Sequence, residues 1–482
     1  MTSNITRTLS AALLACAALA SMPVACAATA QAPAKIVLTD CRIEGFEGKT
    51  RCGTLDVAEN PARPAGRRLS LRVVVVPAQS AKPLPDPIFE LYGGPGESAA
   101  SAVADAAPQM VELNRDRDLV YFEQRGTGPH GLNCDLYDRS NPAVNLRELF
   151  PHDFLVACGH RLAAAADLSQ YSYAHFADDI ETVRRALGYG PLNLFAGSYG
   201  TRAAQVYARM YPKSVRTIYM GSIVPIDIAT PAPFARAVQA PLDRTIADCA
   251  ADKDCHAAYP QLREEFDRLL ADFDAGKAQV PVPGTDRRVA MPRGRFVEFL
   301  RSMVYKPEGA ADVPWTIHHA ATGDWNPIVE KMLQRLRDSA TDISWGLFFT
   351  ITCSEDVAFL DEAQIHAQTD GTYLGDHRVR SQQAVCADWS KYPLPAHYRD
   401  PVRTSVPTLF VSGELDPATP LWFTEHAAPG FSERHEIVLY GQGHMGWNDC
   451  VARTFVQFVR DGSVRNLKET CAERAARPAF KL

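Results

Sequence analysis

Short apolar runs and amphipathic stretches alternate in two parts of this sequence. Seven runs are apolar along most of their length: residues 69–76, 87–92, 118–123, 192–196, 215–219, 407–412 and 436–440. A strand that helices cover on both faces is apolar without alternation, so these runs predict buried and mostly parallel strands. Amphipathic patterns predict helices at residues 176–187, 201–211 and 449–460. Alternation of strands and helices is typical of a doubly wound α/β architecture.

The alternation is interrupted in the middle of the chain. It stops after about Val224, and from residue 225 to about residue 395 the pattern indicates helices and loops with several prolines. Strand–helix alternation then resumes at Val406. We therefore predict an α/β core made of residues 31–224 and 396–482, interrupted by a mainly helical cap at residues 225–395.

Residues 1–30 have the pattern of an export signal. Arg7 is the only charged residue in this segment, an apolar run follows at residues 9–20, and small residues continue to Ala30. The apolar run is too short to cross a bilayer as a stable helix. We expect the signal to be cleaved after Ala27 or after Ala30.

Two alternatives for the N-terminus remain open, a buried N-terminal helix and a lipoprotein anchor at Cys16. The prediction is an exported protein, either periplasmic or secreted. No other segment of the sequence is long and apolar enough to span a membrane.

Ten cysteines lie beyond the predicted signal, and an even number in an exported chain predicts disulfides. Loop entropy favours the closure of short loops, so our hypothesis pairs the cysteines in sequence order. The pairs are Cys41–Cys52, Cys134–Cys158, Cys249–Cys255, Cys353–Cys386 and Cys450–Cys471. The sequence has no CxxC pair, and nothing in it predicts a metal or a cofactor.

The charge of the chain bears on its partners. The formal net charge is −6, and the charged residues are scattered without a long run of one sign. These features argue against a nucleic-acid partner. The oligomeric state is left open.

A candidate nucleophile lies at the end of the apolar run at residues 192–196. The sequence Ala-Gly-Ser-Tyr-Gly follows at residues 196–200, and a helical pattern begins at Thr201. A strand, a tight turn with small residues and a helix form the context in which a serine is exposed as a nucleophile. We predict Ser198 as the nucleophile, with a plain Gly-Ser turn as the alternative.

The partners of such a serine are expected in the order acid, then histidine. Asp416 follows the predicted strand at residues 407–412, and His444 follows the predicted strand at 436–440 in a loop with flanking glycines. The carboxyl ends of parallel strands meet at one edge of a sheet, so both side chains can reach Ser198. We predict His444 as the general base and Asp416 as the group that orients it, with Glu414 as the fallback acid.

An oxyanion hole is expected after the run at residues 87–92. The sequence Tyr-Gly-Gly-Pro-Gly occupies residues 92–96, and glycines let a substrate oxygen approach the backbone. We assign the backbone N–H of Gly94, with Gly93 as the alternative, and the N–H of Tyr199.

Three motifs together resemble a known family. Gly-Gly-Pro-Gly at residues 93–96, Glu-Gln-Arg-Gly-Thr-Gly at 123–128 and Ala-Gly-Ser-Tyr-Gly at 196–200 are similar to the prolyl and tripeptidyl aminopeptidase group of α/β-hydrolases. The resemblance implies an α/β-hydrolase fold and release of a tripeptide or an N-terminal residue, including proline, from peptides. Two departures, Tyr92 for the usual histidine and Glu123 for the usual aspartate, weaken strict proline specificity.

Cleavage at peptide N-termini implies an anion that holds the free ammonium group of the substrate. The resemblance points to Glu355 in the cap, with Asp356 second, and a solvated acidic pair is the alternative. Three aromatic residues before it could line a substrate pocket or form ordinary cap core: Trp345, Phe348 and Phe349.

Two other functions compete with the aminopeptidase. The same triad would serve an esterase that acts on small carboxyl esters, and only the cap would distinguish the two. A non-catalytic binding protein on a hydrolase scaffold is a third reading, although none of the predicted triad residues is missing. The expected partner is accordingly a peptide or a small ester.

Overall fold

A nine-stranded sheet lies at the centre of the structure. The computed structural model describes residues 35–138 and 141–482, so the predicted export signal lies outside the described residues. The described strands are β1 (Thr39–Ile43), β2 (Phe46–Ala58), β3 (Arg68–Val76), β4 (Ile88–Leu91), β5 (Leu119–Phe122), β6 (Leu192–Gly197), β7 (Val215–Gly221), β8 (Gln279–Pro281), β9 (Arg288–Ala290), β10 (Thr408–Gly413) and β11 (Arg434–Leu439). The order in the large sheet is β1-β2-β3-β5-β4-β6-β7-β10-β11.

The sheet is mostly parallel. All pairs from β5 to β11 in this order are parallel, whereas β1, β2, β3 and β5 pair antiparallel. The seven predicted strands correspond to β3, β4, β5, β6, β7, β10 and β11, and together with the flanking helices they confirm the predicted α/β class. The hairpin of β1 and β2 was not predicted, because most of its residues are exposed or only partly buried and no apolar run marks it.

Helices cover both faces of the sheet. The described helices are α1 (Val103–Ala106), α2 (Pro142–Arg147), α3 (His152–Ala165), α4 (Tyr173–Leu187), α5 (Gly200–Met210), α6 (Phe234–Ala237), α7 (Gln239–Ala251), α8 (Lys253–Ala258), α9 (Leu262–Asp274), α10 (Arg293–Met303), α11 (Pro307–Ala310), α12 (Val313–Ala321), α13 (Asn326–Asp342), α14 (Trp345–Glu355), α15 (Glu362–Thr369), α16 (His377–Ala387), α17 (Leu421–Ala427) and α18 (Asp449–Asp461). The apolar faces of α4 and α5 share one core with the sheet, and those of α1 and α18 share a second core on its other side.

The chain between β7 and β10 is mainly helical, with β8 and β9 as a small separate hairpin. We call residues 222–407 the helical segment. Its helices have a hydrophobic core of their own, to which Ala143 and Leu146 of α2 also belong. Residues from the connection between β5 and β6 therefore pack with the helical segment.

The structure forms the five disulfides that the sequence-order hypothesis gives, which confirms that pairing. They are Cys41–Cys52, Cys134–Cys158, Cys249–Cys255, Cys353–Cys386 and Cys450–Cys471. Such a number of disulfides is typical of a protein from an oxidising compartment. Among the described residues, none of the helices combines the length and the apolar character that crossing a membrane requires.

Candidate active site

Ser198 lies in a sharp turn between β6 and α5. Its φ angle is +50°, a left-handed conformation that is uncommon outside glycine. A β-carbon at Gly200 would lie 2.1 Å from the carbonyl oxygen of Leu91, so only glycine fits where α5 begins against β4. The N–H of Ser198 donates to the carbonyl of Gly221 at 2.9 Å, which fixes the turn to the end of β7. The strand, the close packing and the dihedral angle together project the hydroxyl away from the sheet.

The structure brings the three predicted triad residues together. Nε2 of His444 lies 2.8 Å from Oγ of Ser198. Nδ1 of the same ring lies 2.9 and 3.0 Å from the two carboxylate oxygens of Asp416. Hydrogen bonds therefore run without a gap from the carboxylate through the imidazole to the hydroxyl. In this geometry the imidazole of His444 can take the proton of the Ser198 hydroxyl while the Ser198 oxygen attacks a carbonyl carbon.

Asp416 is buried among donors that stabilise its charged form. Its Oδ2 accepts from the hydroxyl of Thr419 at 2.7 Å and from the hydroxyl of Ser222 at 2.9 Å. Its Oδ1 accepts from the backbone N–H groups of Ala418 and Thr419. Burial alone would raise the pKa of Asp416, but the interaction with His444 and the Thr419 hydrogen bonds hold this pKa below its ordinary value.

Two further residues hold the His444 loop. The backbone N–H of His444 donates to the carbonyl of Tyr305 at 2.8 Å, and the Tyr305 ring packs edge-on against the imidazole with centroids 5.0 Å apart. The hydroxyl of Ser222 also accepts from the backbone N–H of Met445 at 2.9 Å. Two residues of the helical segment, Tyr305 and Ser222, thus fix the position of the imidazole.

Sequence reasoning missed Ser222, Thr419 and Tyr305. A signal existed for Thr419, because an aspartate three residues before a threonine often accepts hydrogen bonds within its own turn. Ser222 directly follows β7, at the edge of the sheet where catalytic loops lie. Nothing in the sequence near Tyr305 indicates contact with a residue so far along the chain.

The fallback acid Glu414 has other partners. Its carboxylate accepts from Arg474 at 2.7 and 2.9 Å and from the backbone N–H of Gly441 at 2.9 Å. It stabilises the loop after β11, and Asp416 is the carboxylate that contacts His444.

The predicted oxyanion donors do not converge in this structure. The backbone N–H of Tyr199 donates to the carbonyl of Gly93 at 3.0 Å. In a trans peptide the C=O and N–H groups point in opposite directions, so the N–H of Gly94 faces away from the N–H of Tyr199. The assignment of Gly94 and Tyr199 therefore requires rotation of the peptide between Gly93 and Gly94, and it stays a prediction.

Glu355 and Asp356 lie at the end of α14, and neither residue is exposed to solvent. The Glu355 carboxylate accepts from the backbone N–H of Tyr173 at 3.1 Å, from the hydroxyl of Tyr392 at 2.7 Å and from the hydroxyl of Tyr398. Burial raises its pKa above the ordinary value.

Asp356 lies behind the residue that follows the nucleophile. Its carboxylate accepts from the hydroxyl of Tyr199 at 2.5 Å and from the backbone N–H of Thr230 at 2.9 Å, and it pairs with Arg202 at 2.9 Å. Both acidic residues thus have protein partners and no contact with solvent. The solvated acidic pair, which was the alternative from the sequence, is not what the structure contains. Their binding of a substrate ammonium group stays a prediction that requires displacement of these partners.

No group of three or more His, Cys, Asp or Glu side chains in the described part of the chain has an arrangement that could hold a metal ion.

Comparisons with known proteins show what this chain is similar to. Residues 372–471, which contain Asp416 and His444, match the profile of a family described as TAP-like protein. The Escherichia coli protein YuaR is 29% identical over 211 residues, which are 42% of this chain and 41% of YuaR. Serine protease Hip1 of Mycobacterium tuberculosis is 28% identical over 284 residues, 53% of each chain. The chain thus spans about half the length of these relatives.

A longer match includes most of the chain. The tripeptidyl aminopeptidase of Streptomyces lividans is 23% identical over 435 residues, which are 82% of this chain and 78% of that protein. The resemblance that the three sequence motifs indicate is therefore confirmed by the comparisons.

Proposed function

We propose that this chain is an exported serine hydrolase of the peptidase type, which releases a tripeptide or an N-terminal residue from peptides. The observation that carries the proposal is the continuous hydrogen-bond chain from Asp416 through His444 to Ser198. Similarity to a serine protease and to a tripeptidyl aminopeptidase supports peptides as the substrate class.

In the proposed mechanism Ser198 attacks the carbonyl carbon while Nε2 of His444 takes the hydroxyl proton. The same nitrogen then donates this proton to the leaving amine, and an acyl-enzyme remains until water repeats the sequence. Asp416 accepts from Nδ1 of His444 and stabilises the imidazolium that forms. Acid–base help of this kind is worth about 10²–10⁴ in rate.

The proposed oxyanion hole uses the N–H groups of Gly94 and Tyr199 after the peptide between Gly93 and Gly94 has rotated. Glycine at both positions leaves this rotation free of side-chain clashes within the loop itself. Each donor is expected to contribute about 10²–10³ in turnover.

Recognition of the substrate ammonium group by Glu355, or by Asp356, belongs to the proposal as predicted from the resemblance. The complete burial of both residues favours a second candidate function, hydrolysis of small carboxyl esters, because such substrates need no ammonium site. The two candidates share the triad and differ in what they require of the N-terminus of the substrate.

The test combines covalent labelling with a panel of substrates. A fluorophosphonate probe should label the wild-type chain and the variant Ser80→Ala, in which an exposed serine far along the chain is removed. It should not label Ser198→Ala. Equal labelling of wild type and Ser198→Ala would refute the assignment of the nucleophile, and no labelling of either would favour a non-catalytic binding protein.

The substrate panel separates the two hydrolase functions. Chromogenic amides of single residues and of tripeptides, the same peptides with blocked N-termini and short-chain esters are compared by kcat/KM. An aminopeptidase hydrolyses the free peptides and refuses the blocked ones. Hydrolysis of esters together with equal rejection of free and blocked peptides would establish the esterase instead.

Export is part of the same proposal. The five disulfides support an oxidising compartment, and the pattern of residues 1–30 predicts the signal that delivers the chain there. Fractionation of cells that express the full chain, followed by N-terminal sequencing of the mature protein, tests both statements. A cytoplasmic protein with its first residues intact would contradict them.

A further inference from the structure

Three arginines surround one carboxylate in the helical segment. Arg295 and Arg301 lie on α10 with Glu298, and Arg378 lies on the neighbouring helix α16. Arg301 holds both oxygens of Glu298, at 2.6 and 3.0 Å, and Nη1 of Arg378 donates to Glu298 at 2.6 Å. Arg295, Glu298 and Arg301 are each no more than 6% exposed. We call Arg295, Glu298, Arg301 and Arg378 the arginine cluster.

The arginine cluster carries more positive charge than its carboxylate neutralises. Glu298 is the only anionic partner in the ion pairs of these arginines, among all described residues. Nη2 of Arg295 and Nε of Arg378 are buried and donate to no acceptor in the described structure. Burial lowers the pKa of Arg295 to about 10, as expected for a cation that lacks a close counter-charge. Such a cluster would be stabilised by a further anion.

One side of the arginine cluster reaches the catalytic histidine. Nη1 of Arg301 donates to the hydroxyl of Tyr305 at 2.8 Å, and the Tyr305 ring packs against His444. The Tyr305 hydroxyl keeps its own proton for a further acceptor. Tyr305 is only partly buried.

A series of packed side chains connects Arg378 with the loop after β4. The guanidinium of Arg378 lies 4.9 Å from the centroid of the Phe150 ring, and Phe150 packs on Trp345. The residue before Trp345, Ser344, donates its backbone N–H to the carbonyl of Gly96 at 2.8 Å. Arg378 is therefore connected to Tyr305 through Glu298 and Arg301, and to the segment that holds the glycine loop through Phe150. Its side chain is 12% exposed, about twice as much as that of Arg301.

We propose that Arg378 and the Tyr305 hydroxyl form a subsite for a carboxylate group of the substrate, one or two residues from the scissile bond. The proposal rests on the proposed function, because it places the subsite beside the base of that hydrolase. The guanidinium offers planar paired donors, which match a carboxylate better than any neutral side chain. Tyr305 contacts the imidazole directly, and successive Cα atoms are about 3.8 Å apart, so only near residues of a bound peptide can reach it.

The test uses peptide pairs that differ by one charge. Fluorogenic peptides carry either Glu or the isosteric Gln at one of the two positions on each side of the scissile bond. For at least one position, wild type should prefer Glu by about tenfold in kcat/KM, the size expected for one charged hydrogen-bonded contact. Arg378→Gln should remove this preference, and Tyr305→Phe, which keeps the ring against His444, should reduce it.

Arg380→Gln is the matched control. Arg380 lies on the same helix two residues later, but it pairs with Glu362 and Asp376 at the surface. This variant should keep the wild-type preference for Glu. No preference at any position in wild type, or an equal preference in wild type and Arg378→Gln, would overturn the carboxylate subsite.

A binding measurement keeps this result separate from the proposed hydrolysis. In the Ser198→Ala chain, calorimetry compares the affinity of each Glu peptide with that of its Gln partner, with and without Arg378→Gln. Tighter binding of the Glu peptide that depends on Arg378 supports the subsite even if wild type hydrolyses none of the peptides, an outcome that would refute only the proposed function. Equal affinities of the two peptides at every position would overturn the subsite even if hydrolysis is observed.

Discussion

Replacement of Asp356 by asparagine separates a structural from a substrate-binding role of this residue. The carboxylate forms a buried ion pair with Arg202, whose side chain is 1% exposed, and also accepts from Tyr199 and Thr230. Asparagine has the same shape and can keep one accepting oxygen, but it leaves the guanidinium of Arg202 buried without its counter-charge. Breaking a buried pair by removing one partner costs about 3–5 kcal/mol.

This cost is a large share of the free energy of unfolding, since whole domains have only about 5–15 kcal/mol. Asp356→Asn should therefore lower the unfolding midpoint in guanidinium chloride strongly, measured by intrinsic fluorescence with the disulfides intact. The control Glu362→Gln removes an exposed carboxylate that pairs with Arg380, and it should leave the midpoint unchanged. Adding Arg202→Met to Asp356→Asn should recover part of the loss, because the uncompensated charge is then gone.

The refuting result is a stable Asp356→Asn variant with altered kinetics. If Asp356 binds the substrate ammonium group, the variant should raise KM for free-amine peptides far more than KM for simple esters, while its unfolding midpoint stays near that of wild type. A strong loss of stability with parallel effects on both substrate types would instead remove Asp356 from substrate recognition.

Three further predictions follow from the site. Asp416→Asn should fold normally but lower kcat for an ester by about 10⁴, because the amide no longer holds the His444 tautomer. The control Glu414→Gln should retain most activity. Similar rates for both variants would contradict the roles assigned to these two residues. Gly93→Ala would place a β-carbon 2.4 Å from the backbone nitrogen of Gly200, so we expect kcat to fall at least about 10²-fold as the loop is displaced, and unchanged kcat would remove this loop from the oxyanion site. Burial raises the pKa of Glu90 on β4 from 4.5 to about 8, although the neighbouring hydroxyl of Tyr121 acts in the opposite direction. Between pH 4.5 and pH 8 the folded chain holds a proton that the unfolded chain has lost, so the free energy of unfolding should fall with rising pH by up to about 1.4 kcal/mol per pH unit. Glu90→Gln should flatten this slope in denaturant titrations at pH 5.5, 7 and 8.5. An identical slope in both proteins would refute the raised pKa of Glu90.

The buried strands were predictable because their environment leaves a mark in the sequence. β6 is buried at every residue, and its continuous apolar run is visible without a structure. The hairpin of β1 and β2 leaves no such mark, since its outer residues face solvent and its pairing depends on β3 and on the disulfide between Cys41 and Cys52. The pattern of apolar residues thus indicates which strands are buried. It does not reveal strands such as β1 and β2, which are partly exposed and form through pairing with other parts of the chain.

The proximity of the three predicted triad residues was predictable for a different reason. Ser198, Asp416 and His444 each follow a strand of one parallel sheet, and parallel strands deliver their carboxyl ends to one edge. Ser222 directly follows β7 and lies at the same edge, whereas Tyr305 follows no such rule. Tyr305 reaches His444 from the helical segment, and the packing of helices against a sheet is set by side-chain shapes that a single sequence does not reveal.

The acidic residues of α14 show how composition can mislead. An adjacent Glu355 and Asp356 favour a solvated or ligand-binding pair, because unpaired carboxylates are seldom buried. Here the nearby tyrosines and Arg202 supply donors from distant parts of the chain, so both carboxylates are buried and satisfied. The sequence contained the donors as well, but their convergence on α14 exists only in the folded chain.

The glycine loop after β4 shows the limit of a motif as an argument for chemistry. A motif specifies which backbone N–H groups are available, whereas catalysis depends on where each one points. Rotation of a single peptide, between Gly93 and Gly94, exchanges a carbonyl for an N–H group at the position that the developing oxyanion would occupy. Because the Gly93 carbonyl already accepts from Tyr199, a bound substrate must compensate for the loss of that hydrogen bond before the hole can form. A substrate that fits the site well has enough binding energy to compensate for this hydrogen bond, whereas a substrate that fits poorly does not. The loop would therefore favour substrates that fill the site.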